Sequence, residues 1–207
     1  MKFFTRSELI SVLVIMTLLT IVSVFNLRVS LRRARDAQRI SDVNAIVDAI
    51  AKFGGDFGFY PPSSEDGRIL ACKGDNYDAV VASMSEDDFN LAKYFEGLRP
   101  CNWGEDVLTD LSDATYKPYL DKIPSDPGNK INTNYLYISN SNHFQVFAHL
   151  EGGASESQYK PEVENRNLAC GSQICNFGNS LGATPLDKTL EQYENELLQK
   201  SKDPQNK

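Results

Sequence analysis

At 207 residues the chain can hold one sizeable domain, or a membrane segment and one modest domain. Its charge is divided: residues 1–39 carry seven Lys/Arg and two Asp/Glu, and the remaining 168 residues carry 14 and 26, a balance of −12. That acidic remainder argues against nucleic-acid binding by the larger part, because phosphate contacts need a concentrated positive face.

The first element is apolar. From Leu9 to Leu27 nineteen consecutive positions carry no charge. As a helix at about 1.5 Å per residue, this run reaches roughly 28 Å, close to the hydrocarbon thickness of a bilayer. A cleaved secretory signal would have a shorter apolar core and small residues at its end, whereas this run enters "NLRVSLRRARDAQR" with no A-x-A pattern. The segment is therefore expected to stay attached as one transmembrane anchor.

Glu8 stands at the threshold of that run, and two explanations account for it. Thr5 and Glu8 form a T-x-x-E capping box for the helix start. Alternatively, the carboxylate enters a bundle of identical helices, where a neighbour's N-terminal amine would have to meet it.

Beyond the run, Arg28, Arg32, Arg33, Arg35 and Arg39 make a basic collar suited to anionic lipid headgroups or to acidic surfaces of neighbouring subunits. The collar outnumbers Lys2 and Arg6, and by the positive-inside rule alone it would stay in the cytoplasm. The helix continues, because no Gly or Pro interrupts before Gly54. Ile40, Val43, Val47 and Ile50 recur at helical spacing, with Ile46 and Phe53 broadening the stripe. One helix from Thr5 to Phe53 is expected, apolar all round in its first half and amphipathic in its second, with Gly54, Gly55 and the "YPPS" at 60–63 ending it.

A second helix is expected over "SEDDFNLAKYFEGL" at 85–98, capped by Ser85, with Phe89, Ala92, Tyr94 and Phe95 as its apolar side. A short helical turn is expected before "YLDKIPSDPG" at 119–128, where Pro124 and Pro127 break regular structure. "NYLYIS" and "HFQVFAHL", separated by Asn140–Asn142, read as an antiparallel hairpin. Leu136 and Ile138 are expected to face inward from one strand, and Phe144, Val146, Ala148 and Leu150 from the other. "EGGASESQ" at 151–158 reads as an exposed loop. "TPLDKTLEQYENELLQK" reads as a final helix capped by Thr184, with Pro185 in its first turn and Leu186, Leu190, Tyr193 and Leu197 as a stripe that packs on the domain.

Cys72, Cys101, Cys170 and Cys175 lie in the acidic part with no C-x-x-C pair. Four cysteines allow three connectivities, of which Cys72–Cys101 and Cys170–Cys175 close local loops and are favoured. The spacing lacks the paired short-spaced ligands of a zinc site, and disulfides would place this part outside the cytoplasm.

Catalytic chemistry is thin. His143 and His149 are the only histidines, six residues apart on one strand, so about 20 Å separates their backbones and they cannot share a metal ion. Asp126 with Asn129, Asn132 and Asn134 lacks the terminal Glu of an EF-hand, and these residues read as turn-formers. No phosphate-cradling loop or nucleophile elbow is present, so neither an enzyme nor a cofactor or metal is expected, and the many acids read as a solvated surface.

The stretch "FTRSELISVLVIMTLLTIVSVFNLRVSLRRARDAQRISDVNAIVDAI" resembles the N-terminal helix of type IV pilins and type II secretion pseudopilins. Shared are an aromatic start, a Thr, a Glu four residues beyond that start, and the apolar rod. "YPPS", and "YLDKIPSDPG" before the hairpin, are similar to the major pseudopilin and related pilins. The resemblance implies that Phe3–Phe4 is the processing site, with residues 1–3 a short leader and Phe4 methylated by a prepilin peptidase. It also implies that Glu8, with Phe4 and Thr5, guides assembly. The sequence departs from the family at Phe3, where a Gly precedes the cleaved bond, at Arg6 and Ser7, and at Phe25, which takes the place of a helix-kinking Pro.

On this reading the fold is α+β and pilin-like. Residues 4–28 are the transmembrane and filament-core half of the helix, 29–53 its amphipathic half, 54–182 an extracellular head on a small antiparallel sheet, and 183–207 a C-terminal helix and polar tail. The expected function is a structural filament subunit, held in the membrane with its N-terminus in the cytoplasm before assembly. Its implied partners are its own copies, the prepilin peptidase, and an assembly machine with a platform protein and an ATPase. The alternatives are a minor subunit that primes or tips the filament, and an anchored binding module that never polymerises.

Overall fold

The computed structural model describes residues 6–84, 90–113, 115–128 and 132–202. Helix α1 runs unbroken from Arg6 to Phe57, 52 residues or about 78 Å. It passes through Gly54 and Gly55, which were expected to end it, for two local reasons. Phe57 stacks on Phe53 with ring centroids 4.3 Å apart, and a Cβ on Gly54 would collide with the Tyr60 ring that packs there. The stop is Gly58, at φ +76°, whose N–H returns to the Gly54 carbonyl at 2.9 Å in the left-handed closure that glycine adopts without a steric penalty.

The head is built on the second half of α1. Val43, Ile46, Val47, Ile50 and Phe53 are buried, as their spacing requires, and Ile40 packs at the edge. Each such side chain contributes about 1.5–3 kcal/mol through removal from water. They meet a three-stranded antiparallel sheet of β3 (Leu136–Ser139), β4 (Phe144–Ala148) and β7 (Phe177–Ser180), in the order β3-β4-β7.

The hairpin forms, but the phase of its first strand is opposite to expectation. Tyr137 pairs with Val146 and faces α1 with it, whereas Leu136 and Ile138 share the other face with Phe147 and Gln145. That face is covered too, by Val163, Leu168, Leu186 and the Cys170–Cys175 disulfide. With both faces buried, alternation of polarity no longer marks which side looks inward.

Smaller elements complete the head. A two-stranded ribbon, β1 (Leu70–Lys73) with β2 (Leu98–Pro100), is stapled by the Cys72–Cys101 disulfide. Between them lie α2 (Tyr77–Ala82) and α3 (Leu91–Glu96). Asn90 caps α3, its side chain accepting from the Lys93 N–H at 3.1 Å; Ser85 and Phe89 lie outside the described residues. The helical turn expected ahead of Tyr119 is replaced by turns and a single bridge between Leu108 and Leu120. A short α4 (Pro161–Glu164) and the ribbon of β5 (Ala169–Cys170) with β6 (Gln173–Ile174) precede β7.

Helix α5 spans Leu190–Lys202, starting later than Thr184 and Pro185 would place it. Thr189 and Gln192 form a reciprocal capping box: the Thr189 N–H donates to Gln192 Oε1 at 3.0 Å and the Gln192 N–H to Thr189 Oγ1 at 3.2 Å. Only Leu190 of this helix is buried, and Leu197 and Leu198 are exposed rather than packed on the domain. The layout is thus mixed α+β: a long helix with an apolar N-terminal half, a small antiparallel sheet and two disulfides.

Candidate assembly surface and its clamp

The first half of α1 extends from the head with none of the other described residues packed over it. Large apolar side chains from Leu9 to Leu31 are 43–65% exposed, and the most apolar 18-residue window has a mean hydropathy of 2.4 with none of it buried. The helix is long and apolar enough to cross a membrane or to serve as a signal sequence. Three of its hydroxyls are turned back on the helix: Ser11, Thr17 and Thr20 donate to the carbonyls of Ser7, Leu13 and Met16 at 2.8–3.0 Å. These three hydroxyls are satisfied within the helix, as an apolar environment favours.

Glu8 lies in the first turn, at the positive end of the helix dipole, where a carboxylate is stabilised. Phe3, Phe4 and Thr5, the expected processing and capping residues, lie outside the described residues.

Where the rod enters the head, an ionic cluster takes over. Arg39 is fully buried on α1, and so is Asp126, which the chain delivers from the "SDPG" turn. Arg39 Nε and Nη2 donate to the two oxygens of Asp126 at 2.9 and 3.0 Å, while Nη1 reaches Asp36 at 2.7 Å and Glu151 at 3.0 Å. Asp126 also accepts from the Gly128 N–H at 2.6 Å and the Thr133 hydroxyl at 2.8 Å, so it does form the expected turn and carries an ion pair besides. Asp36, one turn below Arg39, accepts the N–H groups of Glu151 and Gly152, both at 2.9 Å. Glu151 is gripped from below by Arg35, at 2.7 and 2.5 Å.

The electrostatics are those of a closed cluster. Hydrogen bonding from Arg35 outweighs partial burial and, with Arg39, holds the Glu151 carboxyl down at about 2. Burial pulls the Arg39 guanidinium down, but Asp126, Glu151 and Asp36 together hold it above its ordinary value. One turn further along, the Tyr135 hydroxyl donates to Asp42 at 2.6 Å, and burial followed by that carboxylate pushes the phenol up.

Sequence pattern alone does not join Arg39, Asp126, Asp36 and Glu151 into a unit: Asp126 reads as a turn-former and Glu151 as one of many surface acids. The signal was present: Asp36, Arg39, Val43, Ile46, Ile50 and Phe53 follow one another at three- and four-residue intervals, so the two charges sit within the apolar stripe. The cluster is a clamp that fixes Asp126, with Gly128 and Thr133 bonded to it, and the 150–152 loop of the head to residues 36–39 of the helix.

The histidines lie apart. His143 stands 3.5 Å from Glu194 and edge-on to Tyr193, while His149 meets the Ile174 carbonyl at 2.7 Å. Among the described residues no three His, Cys, Asp or Glu side chains converge as metal ligands. No known protein family, curated protein or solved structure matches the chain.

Proposed function

We propose that this chain is a structural subunit of a type IV pilus or pseudopilus-like filament. The observation that carries the proposal is the division of α1: an uncovered apolar first half of bilayer length, and a second half clamped into a disulfide-bonded head. Before assembly the first half spans the membrane with its N-terminus in the cytoplasm and the head outside, where the disulfides form. In the filament the same halves pack against one another at the core and the heads tile the surface. Burial is worth about 0.8 kcal/mol per methylene, yet lipid buries the same surface, so the net gain per transfer is small and assembly is reversible. A prepilin peptidase prepares Phe4, and a platform protein and ATPase move subunits between the two settings.

Glu8 acts in that transfer as the register device, its carboxylate meeting a neighbour's N-terminal amine. Replacing Glu8 with Lys tests the proposal. The expected result is a membrane-inserted chain with a normally folded, oxidised head and no filaments. Filaments formed at the native level by the E8K chain would overturn the assembly role. Fibres carrying the chain only at their ends would reassign it as a minor subunit, and function preserved with no fibres would reassign it as an anchored module.

A further inference from the structure

Four arginines descend one side of α1 at positions 28, 32, 35 and 39, spacings that keep them within about 60° of each other around the helix. Their neutralisation by the head falls off step by step. Arg39 meets three carboxylates and Arg35 shares Glu151 with it. Among the described residues Arg32 meets one carboxylate, Glu156, at 3.9 Å, too long for a hydrogen bond. Arg28 is exposed and makes no ion pair with the described residues.

We propose that Arg28 and Arg32 together hold the phosphodiester of an anionic phospholipid headgroup while the chain is anchored. This rests on the membrane-spanning reading of α1 and not on polymerisation. Arg28 directly follows Leu27, the last residue of the uncharged run, so it lies where hydrocarbon gives way to headgroups. Arg32 stands one turn above, about 6 Å along the axis. A guanidinium presents a planar fork of donors that matches phosphate oxygens, and the Arg32 side chain, 35% exposed, is open to such an acceptor. The loop leading to Glu156 runs through Gly152, Gly153, Ala154 and Ser155, and open space surrounds the position a Gly153 Cβ would take. No long side chain of that run competes for the two arginines. Arg33 is exposed as well, but it points about 140° away from Arg28 and belongs to no such pair.

The test uses the full chain in nanodiscs of mixed phosphatidylglycerol and phosphatidylcholine, followed by detergent extraction and native mass spectrometry of the lipid that stays bound. The native chain is expected to retain phosphatidylglycerol in preference to phosphatidylcholine. Retention by the R28Q/R32Q double variant should fall about 25-fold, at about fivefold for each arginine removed from a lipid surface. The R33Q variant should retain the lipid. Equal retention of both lipids, an undiminished double variant, or an equal loss in R33Q would overturn the site. So would inorganic phosphate stabilising the detergent-solubilised native chain but not the double variant, because that assigns the pair to a free anion. A chain that does not enter the nanodisc removes the membrane reading and this inference together, whereas an inserted chain without lipid preference removes this inference alone.

Discussion

Arg39 and Asp126, 87 positions apart in the chain, face each other through two parallel hydrogen bonds in a site where neither side chain reaches solvent. The pair joins the long helix to the "SDPG" turn of the head. Replacing Asp126 with Ala would leave the Arg39 charge buried, with Asp36 and Glu151 still beside it but its bidentate partner gone. A loss of about 3–5 kcal/mol in unfolding free energy of the head is expected, the usual cost of breaking such a pair from one side. Denaturant unfolding followed through Trp103, which packs edge-on to Tyr135, reads it. A loss below about 1 kcal/mol would place the pair among ordinary surface contacts.

Glu151 gives the clamp a pH signature. Its carboxyl is held at about 2 in the folded head, below its ordinary 4.5, first by Arg35 and then by Arg39. A depressed carboxyl stabilises the fold above its unfolded value, and that stabilisation is lost as pH falls toward the folded value. Head stability is therefore expected to hold from neutrality down to about pH 5, then to decline by an amount on the order of 2 kcal/mol toward pH 2. The Glu151→Gln variant, less stable at neutrality, should lose this part of the decline. Parallel slopes for the two proteins in acid melts would contradict the assignment.

The two disulfides close loops of unequal length, with partners 29 and 5 positions apart. Loop-closure entropy assigns about 3.6 kcal/mol to Cys72–Cys101 and about 2 kcal/mol to Cys170–Cys175. Paired alanine substitutions should lower stability in that order. A larger loss at Cys170–Cys175 would mean that its packing under Phe147 and Val163 outweighs the entropy of the chain.

Helix α5 is held by its capping box, the buried Leu190, and the contacts of Tyr193 and Glu194 with Asn142 and His143. Thr189→Ala should cost about 1 kcal/mol. The loss should be local, read as faster amide exchange over residues 190–196 with unchanged protection of β4. Uniformly faster exchange across the head would show instead that α5 is integral to the core.

The long helix, the hairpin and the short-range cysteine pairing were legible because each is written in local pattern: uninterrupted apolar and amphipathic periodicity, alternating β-branched and aromatic runs, and closeness in sequence. The clamp was not, since Asp126 and Glu151 look like ordinary loop acids until the fold carries them to Arg39 and Arg35. The inward face of β3 is not legible in its alternation because a second layer covers the sheet, so Leu136 and Ile138 are half-buried on the side away from α1. At the C-terminus two candidate caps compete, and Thr189 prevails over Thr184 because it has Gln192 three residues on to reciprocate.

Electron cryomicroscopy of fibres sheared from cells that express the native chain bears most directly on the filament proposal. Density should show the α1 helices bundled along the fibre axis, with Leu9–Leu27 buried among neighbouring copies and the disulfide-bonded heads outermost. Fibres whose apolar halves point into water, or a chain found only as single copies in the membrane, would contradict it.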